Sequence, residues 1–207
     1  FASTINCSFL FTSTSEVYGD PTVNPQSESY LGNVNTVGPR SCYDEGKRVA
    51  ETLCYEYNRA LNINVTVVRI FNTYGPGMMS DDGRVVSNFV NQCLNDKDIT
   101  IYGDGSQTRS FCYVDDMVEG LLLASASGEF GPINLGNPNE ITVSELSMIV
   151  KEKTRSYSNI INMPLPKDDP CLRRPDITRA SNLLNWRPTT SLSDGLDKTI
   201  EYFSSIE

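Results

Sequence analysis

Residues 41–48 read SCYDEGKR and place Tyr43 four positions before Lys47. On a helix this spacing brings the phenol and the ammonium to one face. A tyrosine hydroxyl is a poor base at neutral pH, but a lysine cation beside it favours the phenolate. The pair is a candidate base for hydride-transfer chemistry, and the alternative is an ordinary amphipathic surface pair.

Two apolar stretches flank this helix and predict strands. Residues 8–11 read SFLF and lead into the polar, turn-like residues 12–21. Residues 64–71 form a β-branched run that ends in NTYGP at 72–76. Strand, helix and strand follow in βαβ order, and hydroxyls at the carboxyl end of a strand lie where open α/β sheets bind their ligands.

The rest of the chain alternates in the same way, which predicts an α/β fold. We expect strands at residues 8–12, 65–71, 99–102, 110–113 and 133–135. We expect helices at residues 43–58, 84–95, 115–125, 144–154, 177–184 and 193–203. Capping boxes are predicted at Thr142 and Ser191, and Asp115 or Asp116 is expected to cap the helix that follows Val114.

Composition excludes several classes of protein. The net charge is -9 and no basic tract is present, which argues against nucleic-acid binding. No apolar run reaches the roughly 18 residues of a membrane span. The chain has no histidine, which excludes a Ser-His-Asp hydrolase. Its 6 cysteines include no C-x-x-C pair, so we expect reduced, packed thiols, no metal site and a cytoplasmic protein.

At this point the chain resembles the extended short-chain dehydrogenase/reductase family, and within it the UDP-glucuronate decarboxylases. The resemblance is carried, in the expected order, by residues 13–21, 41–51, 69–76, 102–116, 134–138, 168–170 and 173–177, and by Asn88 with its flanks. It implies an NAD-dependent enzyme with the C-terminal part of a Rossmann-type parallel sheet and a smaller α/β substrate-binding lobe. Residues 1–75 would belong to the NAD-binding domain and residues 76–207 mainly to the substrate lobe, with some segments returning to the first domain.

One part of the family pattern is absent from these residues. No G-x-G-x-x-G or G-x-x-G-x-x-G motif occurs, and Gly103-Asp104-Gly105 lacks the third glycine. The resemblance therefore implies that on the order of a hundred residues, two or three βα units, belong before Phe1. We expect the 207 residues alone neither to retain NAD nor to turn over.

The resemblance also implies roles for the catalytic residues. Tyr43 would accept the proton of the sugar's 4-hydroxyl as hydride leaves carbon 4, and Lys47 would bind the nicotinamide ribose. Thr14 would hydrogen-bond the same 4-oxygen, with a capped strand end as the alternative. Related 4,6-dehydratases carry Asp-Glu at the next two positions, where this chain has Ser15 and Glu16, so loss of the acid disfavours dehydration.

Arg173 matches an arginine that decarboxylases of this family bring close to the substrate's carboxyl end. We interpret it as an orienting and charge-stabilising group, with a surface salt bridge as the alternative. Proton delivery to the decarboxylated sugar would fall to Glu16, Tyr43 or water. Arg109 matches the pyrophosphate clamp of the family. The remaining expected substrate contacts are Asn72, Arg84, Asn88, Tyr102 and Gln107, whereas Tyr113 and Trp186 are expected to pack in the core.

The expected ligands are NAD and UDP-glucuronate or UDP-xylose, without a metal. The resemblance implies a homodimer that packs the Tyr43 helix against its mate. Residues 49–57 give this helix an apolar stripe that suits such a role (Val49, Ala50, Leu53, Cys54 and Tyr57), with ordinary core packing as the alternative. Family members are also held in the Golgi by an N-terminal anchor, which makes the Golgi lumen the alternative location. The alternative functions are another UDP-sugar 4-keto enzyme, such as an epimerase or UDP-apiose synthase, and a non-catalytic nucleotide-sugar-binding fragment.

Overall fold

The computed structural model describes residues 2–5, 7–165 and 172–206. The predicted motif at 168–170 and Cys171 lie outside these ranges. The helices are α1 (Ala2–Ile5), α2 (Ser41–Leu61), α3 (Val85–Leu94), α4 (Val114–Ser127), α5 (Val143–Thr154), α6 (Thr178–Leu184) and α7 (Leu192–Ile206). The strands are β1 (Phe9–Thr14), β2 (Val65–Ile70), β3 (Thr73–Tyr74), β4 (Ile99–Tyr102), β5 (Thr108–Ser110), β6 (Cys112–Tyr113), β7 (Ile133–Leu135), β8 (Glu140–Thr142) and β9 (Ile160–Met163). A 3₁₀ turn covers Ser15–Tyr18.

Three strands form a parallel sheet in the order β1, β2, β7. Helix α2 connects β1 to β2, so the predicted βαβ unit is confirmed. Ser13 on β1, Arg69 on β2 and Asn134 on β7 stand in register across the three strands. β1 also extends two residues beyond its predicted end, which brings Ser13 and Thr14 into the sheet.

The prediction of one strand at residues 110–113 is wrong. β5 pairs antiparallel with β8, whereas β6 pairs parallel with β3, so the chain changes sheets at Phe111. Residues 110–113 are all buried, and a fully buried run gives no alternation to mark where a strand ends. α1, β3, β8 and β9 were not predicted; β9 is exposed at all of its positions and likewise shows no alternation.

The helix caps are partly as predicted. Thr142 and Glu145 form a complete capping box at α5, and Ser191 exchanges hydrogen bonds with Asp194 at the start of α7. The predicted cap of α4 is wrong, because Tyr113 occupies the cap position without a side-chain bond. Asp116 instead accepts hydrogen bonds from the Thr189 hydroxyl and the Thr190 amide, which pin a distant loop.

Two large apolar clusters hold the molecule together. One packs α3, α5 and α7 around Leu146 and Phe203 and includes Tyr113. The other packs α4 and α6 against the parallel sheet around Trp186, whose indole N–H donates to the Asp116 carbonyl at 2.9 Å. The predicted core roles of Tyr113 and Trp186 are therefore confirmed.

The apolar stripe of α2 divides between core and surface. Cys54 packs against β2, whereas Val49, Leu53 and Tyr57 are each more than half exposed.

The described cysteines are all free thiols. Cys54, Cys93 and Cys112 are buried as predicted, whereas Cys7 and Cys42 are exposed, so the prediction of packed thiols is wrong for these two. Within the described ranges, no helix is both long and apolar enough to cross a bilayer.

Replacement of two helical glycines by alanine is expected to change the free energy of unfolding in opposite directions. A Cβ on Gly195 in α7 would approach the buried Tyr74 ring, 2.8 Å from its Cζ, and lie 2.9 Å from the Tyr113 ring, whereas a Cβ on Gly46 in α2 would meet nothing within 4 Å. We expect Gly195→Ala to lower the free energy of unfolding by about 1–3 kcal/mol through overpacking. Gly46→Ala, the matched control, should raise it by up to about 1 kcal/mol. Urea unfolding midpoints measure both, and a neutral Gly195→Ala would contradict the packing.

Candidate active site

A cleft of about 660 Å³ opens where β1 and β2 end and α2 begins. The carboxyl ends of parallel strands are the usual ligand side of an open α/β sheet. All the predicted site residues line this cleft: Thr14, Ser15, Glu16, Tyr43, Lys47, Asn72, Arg84, Asn88, Tyr102, Gln107, Arg109 and Arg173. Residues as far apart in sequence as Ser15 and Arg173 therefore meet in one pocket.

Tyr43 and Lys47 lie on the face of α2 that overlooks the end of β1. The Lys47 ammonium donates to the Thr12 carbonyl at 2.8 Å and lies 5.9 Å from the centre of the Tyr43 ring. It also stands 5.1 Å from the centre of the Phe11 ring. Tyr43 is 51% exposed, so its side chain is accessible from the cleft. This arrangement presents a cation and a hydroxyl side by side to a bound ligand.

Thr14 ends β1 and begins the 3₁₀ turn. Its hydroxyl oxygen accepts a hydrogen bond from the Glu16 amide at 3.2 Å, which caps the turn. The side chain also lines the cleft. Thr14 therefore caps the end of the strand, as in the alternative interpretation, and also faces the cleft. Its hydroxyl proton remains available as a donor.

Arg173 is buried against the 3₁₀ turn. Its guanidinium contacts the Glu16 carboxylate at 2.6 Å, donates to the Ser15 hydroxyl at 3.1 Å and points a further N–H at the Gly19 carbonyl at 3.4 Å. The side chain is only 4% exposed. The alternative of a surface salt bridge is therefore wrong, and the structure unites Ser15, Glu16 and Arg173 in one cluster.

A second arginine completes this cluster. Arg40 precedes Tyr43 by three residues, and its guanidinium contacts the Glu16 carboxylate at 2.9 Å. Glu16 is thus paired with two arginines, Arg40 and Arg173. Burial alone would raise the pKa of the Glu16 carboxyl, but the charges and hydrogen bonds of Arg173 and Arg40 outweigh it and hold that pKa below its usual range. Glu16 is therefore an anion at neutral pH. The sequence analysis missed Arg40, although its place at the start of the Tyr43 helix was a usable signal.

Asp44 is a further acidic group that the sequence analysis missed. It is buried next to Tyr43, and its Oδ1 atom has no hydrogen-bond partner among the described residues. Burial raises the pKa of Asp44, the charge of Glu16 raises it further, and Arg40 and Arg173 oppose the shift. The two carboxyls of this region are consequently driven in opposite directions, Glu16 toward the anion and Asp44 toward the neutral acid.

The predicted nucleotide contacts come from three segments around the cleft. Asn72 follows β2, and its carbonyl accepts the Cys112 amide at 2.9 Å. Gln107 donates to the Tyr102 carbonyl at 2.7 Å, which ties the β4–β5 loop to the end of β4. Arg109 donates to the Thr108 carbonyl at 2.8 Å. Arg84 and Asn88 lie at the start of α3 and line the cleft as well.

A buried polar network lies beneath these residues. Glu51, two turns along α2 from Tyr43, accepts the Ser13 hydroxyl and two N–H groups of Arg69 at 3.0 and 2.7 Å. Arg69 also donates to the Tyr18 hydroxyl at 3.0 Å, which in turn donates to Asn134 at 2.8 Å. The network fixes α2 and the 3₁₀ turn on the sheet, and sequence reasoning gave no sign of it.

The pattern of the NAD dependent epimerase/dehydratase family matches residues 1–136. The chain belongs to this family. UDP-glucuronic acid decarboxylase 2 of Arabidopsis thaliana is 54% identical over 202 residues, which are 98% of this chain and 45% of that protein. UDP-glucuronic acid decarboxylase 1 of Danio rerio is 53% identical over 203 residues, 98% of this chain and 49% of that protein. The chain spans about half the length of these relatives.

Solved members of the family have the same fold. UDP-glucose 4-epimerase of Thermotoga maritima, solved with UDP-glucose, has a TM-score of 0.92 at 31% identity and covers 99% of this chain and 66% of its own. UDP-glucuronic acid 4-epimerase of Bacillus cereus, solved with UDP-glucuronic acid and NAD, has a TM-score of 0.87 at 31% identity, with coverages of 97% and 62%. The predicted α/β fold with a Rossmann-type parallel sheet is confirmed.

NAD is the cofactor of this family, and the Tyr43 end of the cleft lies at the carboxyl ends of the strands, where α/β folds bind such ligands. The hydroxyls of a ribose can accept hydrogen bonds from cationic or hydroxyl side chains. Lys47, held at the end of β1 by the Thr12 carbonyl, and the accessible Tyr43 hydroxyl supply such a donor set. These two residues are the ones that could hold this part of the cofactor.

The lowered pKa of Glu16 generates a prediction about pH. Because folding lowers that pKa, the ionised carboxylate stabilises the folded chain above the ordinary glutamate value of 4.5, and this stabilisation is lost as the pH falls through the folded-state value. We expect Glu16→Gln to lower the free energy of unfolding at neutral pH, with a gap to the unchanged chain that narrows below pH 4.5.

Denaturant unfolding at a series of pH values measures this gap. Glu56→Gln is the matched control, because Glu56 makes an exposed ion pair with Arg59 on α2, and exposed pairs contribute little to stability. Its gap should be small throughout. A Glu16→Gln gap of the same size at acid and neutral pH would contradict the ion-pair assignment.

Proposed function

We propose that the protein containing this chain converts UDP-glucuronate to UDP-xylose and carbon dioxide through a 4-keto intermediate. The observation that carries the proposal is the buried Arg173, ion-paired to Glu16 and bonded to Ser15 in the cleft that also holds Tyr43 and Lys47. A cation that could pair with a substrate carboxylate thus lies in the same cleft as a candidate base for a sugar hydroxyl, which supports the proposal. The identity of 53–54% to UDP-glucuronic acid decarboxylases supports it.

Tyr43, Lys47 and Thr14 are proposed to act on carbon 4 of the sugar. Thr14 orients the 4-hydroxyl, Tyr43 accepts its proton, and Lys47 stabilises the phenolate and holds the nicotinamide ribose. NAD, held by Tyr43 and Lys47, would supply the hydride acceptor for carbon 4 and, after loss of carbon dioxide, the hydride donor. The proton on Tyr43 goes back to the 4-oxygen in that last step, so neither NAD nor a proton is consumed at this position.

Ser15, Glu16 and Arg173 are proposed to act at the carboxyl end of the substrate. Oxidation of carbon 4 turns the substrate into a β-keto acid, so the bond from carbon 5 to carbon 6 breaks and its electrons move into an enolate shared with the 4-oxygen. Arg173 and Ser15 orient the carboxylate before it leaves. Carbon 5 then takes up one proton. Glu16 is held as an anion by two arginines, and the proton on Tyr43 returns to the 4-oxygen, so water is the better source of the proton for carbon 5.

The polar residues at the other end of the cleft are proposed to hold the nucleotide. Arg109 has the planar fork that suits a pyrophosphate. The supporting contacts are proposed for Asn72, Arg84, Asn88, Tyr102 and Gln107.

We also propose that residues 1–75 contribute to the NAD-binding domain and residues 76–207 mainly to the substrate lobe. The return of β7 to the sheet of β1 and β2 supports the expected exchange of segments between the two domains. The five described thiols are free, which favours a cytoplasmic location over the Golgi lumen.

The reaction is tested with UDP-glucuronate labelled with carbon-13 in the carboxylate. We expect labelled carbon dioxide and UDP-xylose in equal amounts, with total NAD unchanged. Tyr43→Phe should lower the turnover rate by at least about a hundredfold, because the 4-hydroxyl proton loses its acceptor. Tyr157→Phe, at a residue 93% exposed, is the matched control and should have no effect.

Other products would contradict the proposal in distinct ways. UDP-galacturonate that keeps the label would indicate an epimerase, and a 4-keto-6-deoxy sugar made from UDP-glucose would indicate a dehydratase. UDP-apiose would indicate the synthase alternative. Binding of UDP-glucuronate without any product would favour a non-catalytic role.

We propose that the protein is a homodimer that buries the exposed stripe of α2. Val49, Leu53 and Tyr57 lie at successive four-residue spacings on one face, each more than half exposed. Leu53→Asp should shift the protein from dimer to monomer in sedimentation, because a buried charge without a partner is costly. Leu122→Asp, at a leucine 67% exposed on α4, is the control and should leave the dimer intact. A monomeric parent protein would contradict the proposal.

A further inference from the structure

Gln26 is fully buried in the loop between the 3₁₀ turn and α2, yet it does not line the cleft. Its backbone pairs with the segment that carries Arg173. The Gln26 amide donates to the Arg174 carbonyl at 2.9 Å, and the Gln26 carbonyl accepts the Asp176 amide at 2.9 Å. Gln26 therefore serves that segment as a short strand-like partner, in a parallel bridge with Pro175.

The side chain of Gln26 makes a more specific contact. Its Oε1 accepts the Arg174 amide at 2.8 Å, and its Nε2 donates to the Val23 carbonyl at 2.6 Å, which fixes the orientation of the side-chain amide. The Gln26 carbonyl also accepts Asn134 Nδ2 at 3.0 Å. The backbone of Gln26 is thereby anchored to β7, and its side chain presents one acceptor to the residue after Arg173.

That acceptor holds one end of a single peptide group. The peptide between Arg173 and Arg174 is planar, so its C=O and N–H move together. The Ser110 hydroxyl donates to the Arg173 carbonyl at 3.1 Å, and Gln26 accepts the Arg174 N–H. With both ends held, rotation about the bond from Cα to the carbonyl carbon of Arg173 is restricted, which fixes the direction in which its side chain leaves the backbone.

We propose that Gln26 is a positioning residue for Arg173: its side-chain oxygen sets the Arg173–Arg174 peptide so that the guanidinium meets Glu16 and Ser15 at the place where the substrate carboxylate must be oriented. The inference rests on the proposed decarboxylase function. It assigns a role in the chemical step to a residue that does not line the cleft. Loss of the acceptor should therefore slow release of carbon dioxide and leave oxidation of carbon 4 nearly unchanged.

Three variants separate positioning from stability. Gln26→Met keeps most of the volume but removes the acceptor. Gln26→Glu keeps an acceptor for the Arg174 amide, although it loses the donor to the Val23 carbonyl and adds a buried charge, both of which lower stability. Gln92→Met is the matched control, because Gln92 makes a similar pair of hydrogen bonds to Thr100, on β4, without touching the Arg173 segment.

The first measurement is the pair of isotope effects on turnover, carbon-13 at the carboxylate and deuterium at carbon 4. In Gln26→Met we expect carbon dioxide release to slow about tenfold to a hundredfold relative to oxidation, so that the carbon effect rises and the deuterium effect falls. Gln26→Glu should keep the parent values despite its lower unfolding temperature, and Gln92→Met should keep them too. Equal slowing of both steps in Gln26→Met, or a Gln26→Glu variant as impaired as Gln26→Met, would overturn the inference.

The second measurement needs no activity. Hydrogen exchange of the Arg173 guanidinium, followed by nitrogen-15 NMR, should be faster in Gln26→Met than in the parent protein, Gln26→Glu and Gln92→Met. Unchanged exchange in Gln26→Met would overturn the positioning role. A parent protein that releases no carbon dioxide from UDP-glucuronate would instead overturn the proposed function, and the exchange rates would still decide whether Gln26 holds Arg173 in place.

Discussion

The buried ion pair between Glu51 and Arg69 joins the helix that carries Tyr43 and Lys47 to the strands beneath it. The Glu51 carboxylate accepts a hydrogen bond from the Ser13 hydroxyl and two from the Arg69 guanidinium. Ser13 and Arg69 are paired in register on β1 and β2. Burial by itself would lower the pKa of Arg69, but the contacts with Glu51 and Tyr18 raise it, so the cation is retained. Removing one partner from such a pair costs about 3–5 kcal/mol, because the other charge is left buried and unpaired.

The position of α2 follows from this contact. Helical spacing places Tyr43, Lys47 and Glu51 along one side of α2 at intervals of four residues. Once Glu51 is bound to the sheet, Lys47 falls opposite the Thr12 carbonyl and Tyr43 reaches the mouth of the cleft. The same network continues through Tyr18 to Asn134, so the 3₁₀ turn with Ser15 and Glu16 is aligned with the helix by the same hydrogen bonds.

The cleft is positively charged, whereas the chain as a whole is negatively charged. The chain has a net charge of -9. Among the residues that the structure describes, the cleft is lined by Arg40, Arg84, Arg109, Arg173 and Lys47 against the single carboxylate of Glu16. A local positive field within an acidic protein favours a small anion over a polyanionic nucleic acid. Glu16 compensates the two innermost arginines, which permits Arg173 to be buried before any anionic ligand arrives.

The sequence by itself determined the βαβ order, most helix bounds to within one residue, the capping box at Thr142 and, through the family resemblance, twelve of the residues that line the cleft. These features depend on periodicity, local hydrogen bonding and recognisable motifs. Tertiary structure alone decided the change of sheet at Phe111 and the use of Asp116 by a distant loop, since a fully buried run and a long-range acceptor have no local pattern. It also decided that Arg40 and Arg173 share Glu16, that Arg69 binds Glu51 and that Gln26 holds the Arg173 segment. Each of these contacts joins residues whose meeting depends on how separate strands and loops pack, and hydrogen bonds and charges act through space, whereas the sequence records only order along the chain.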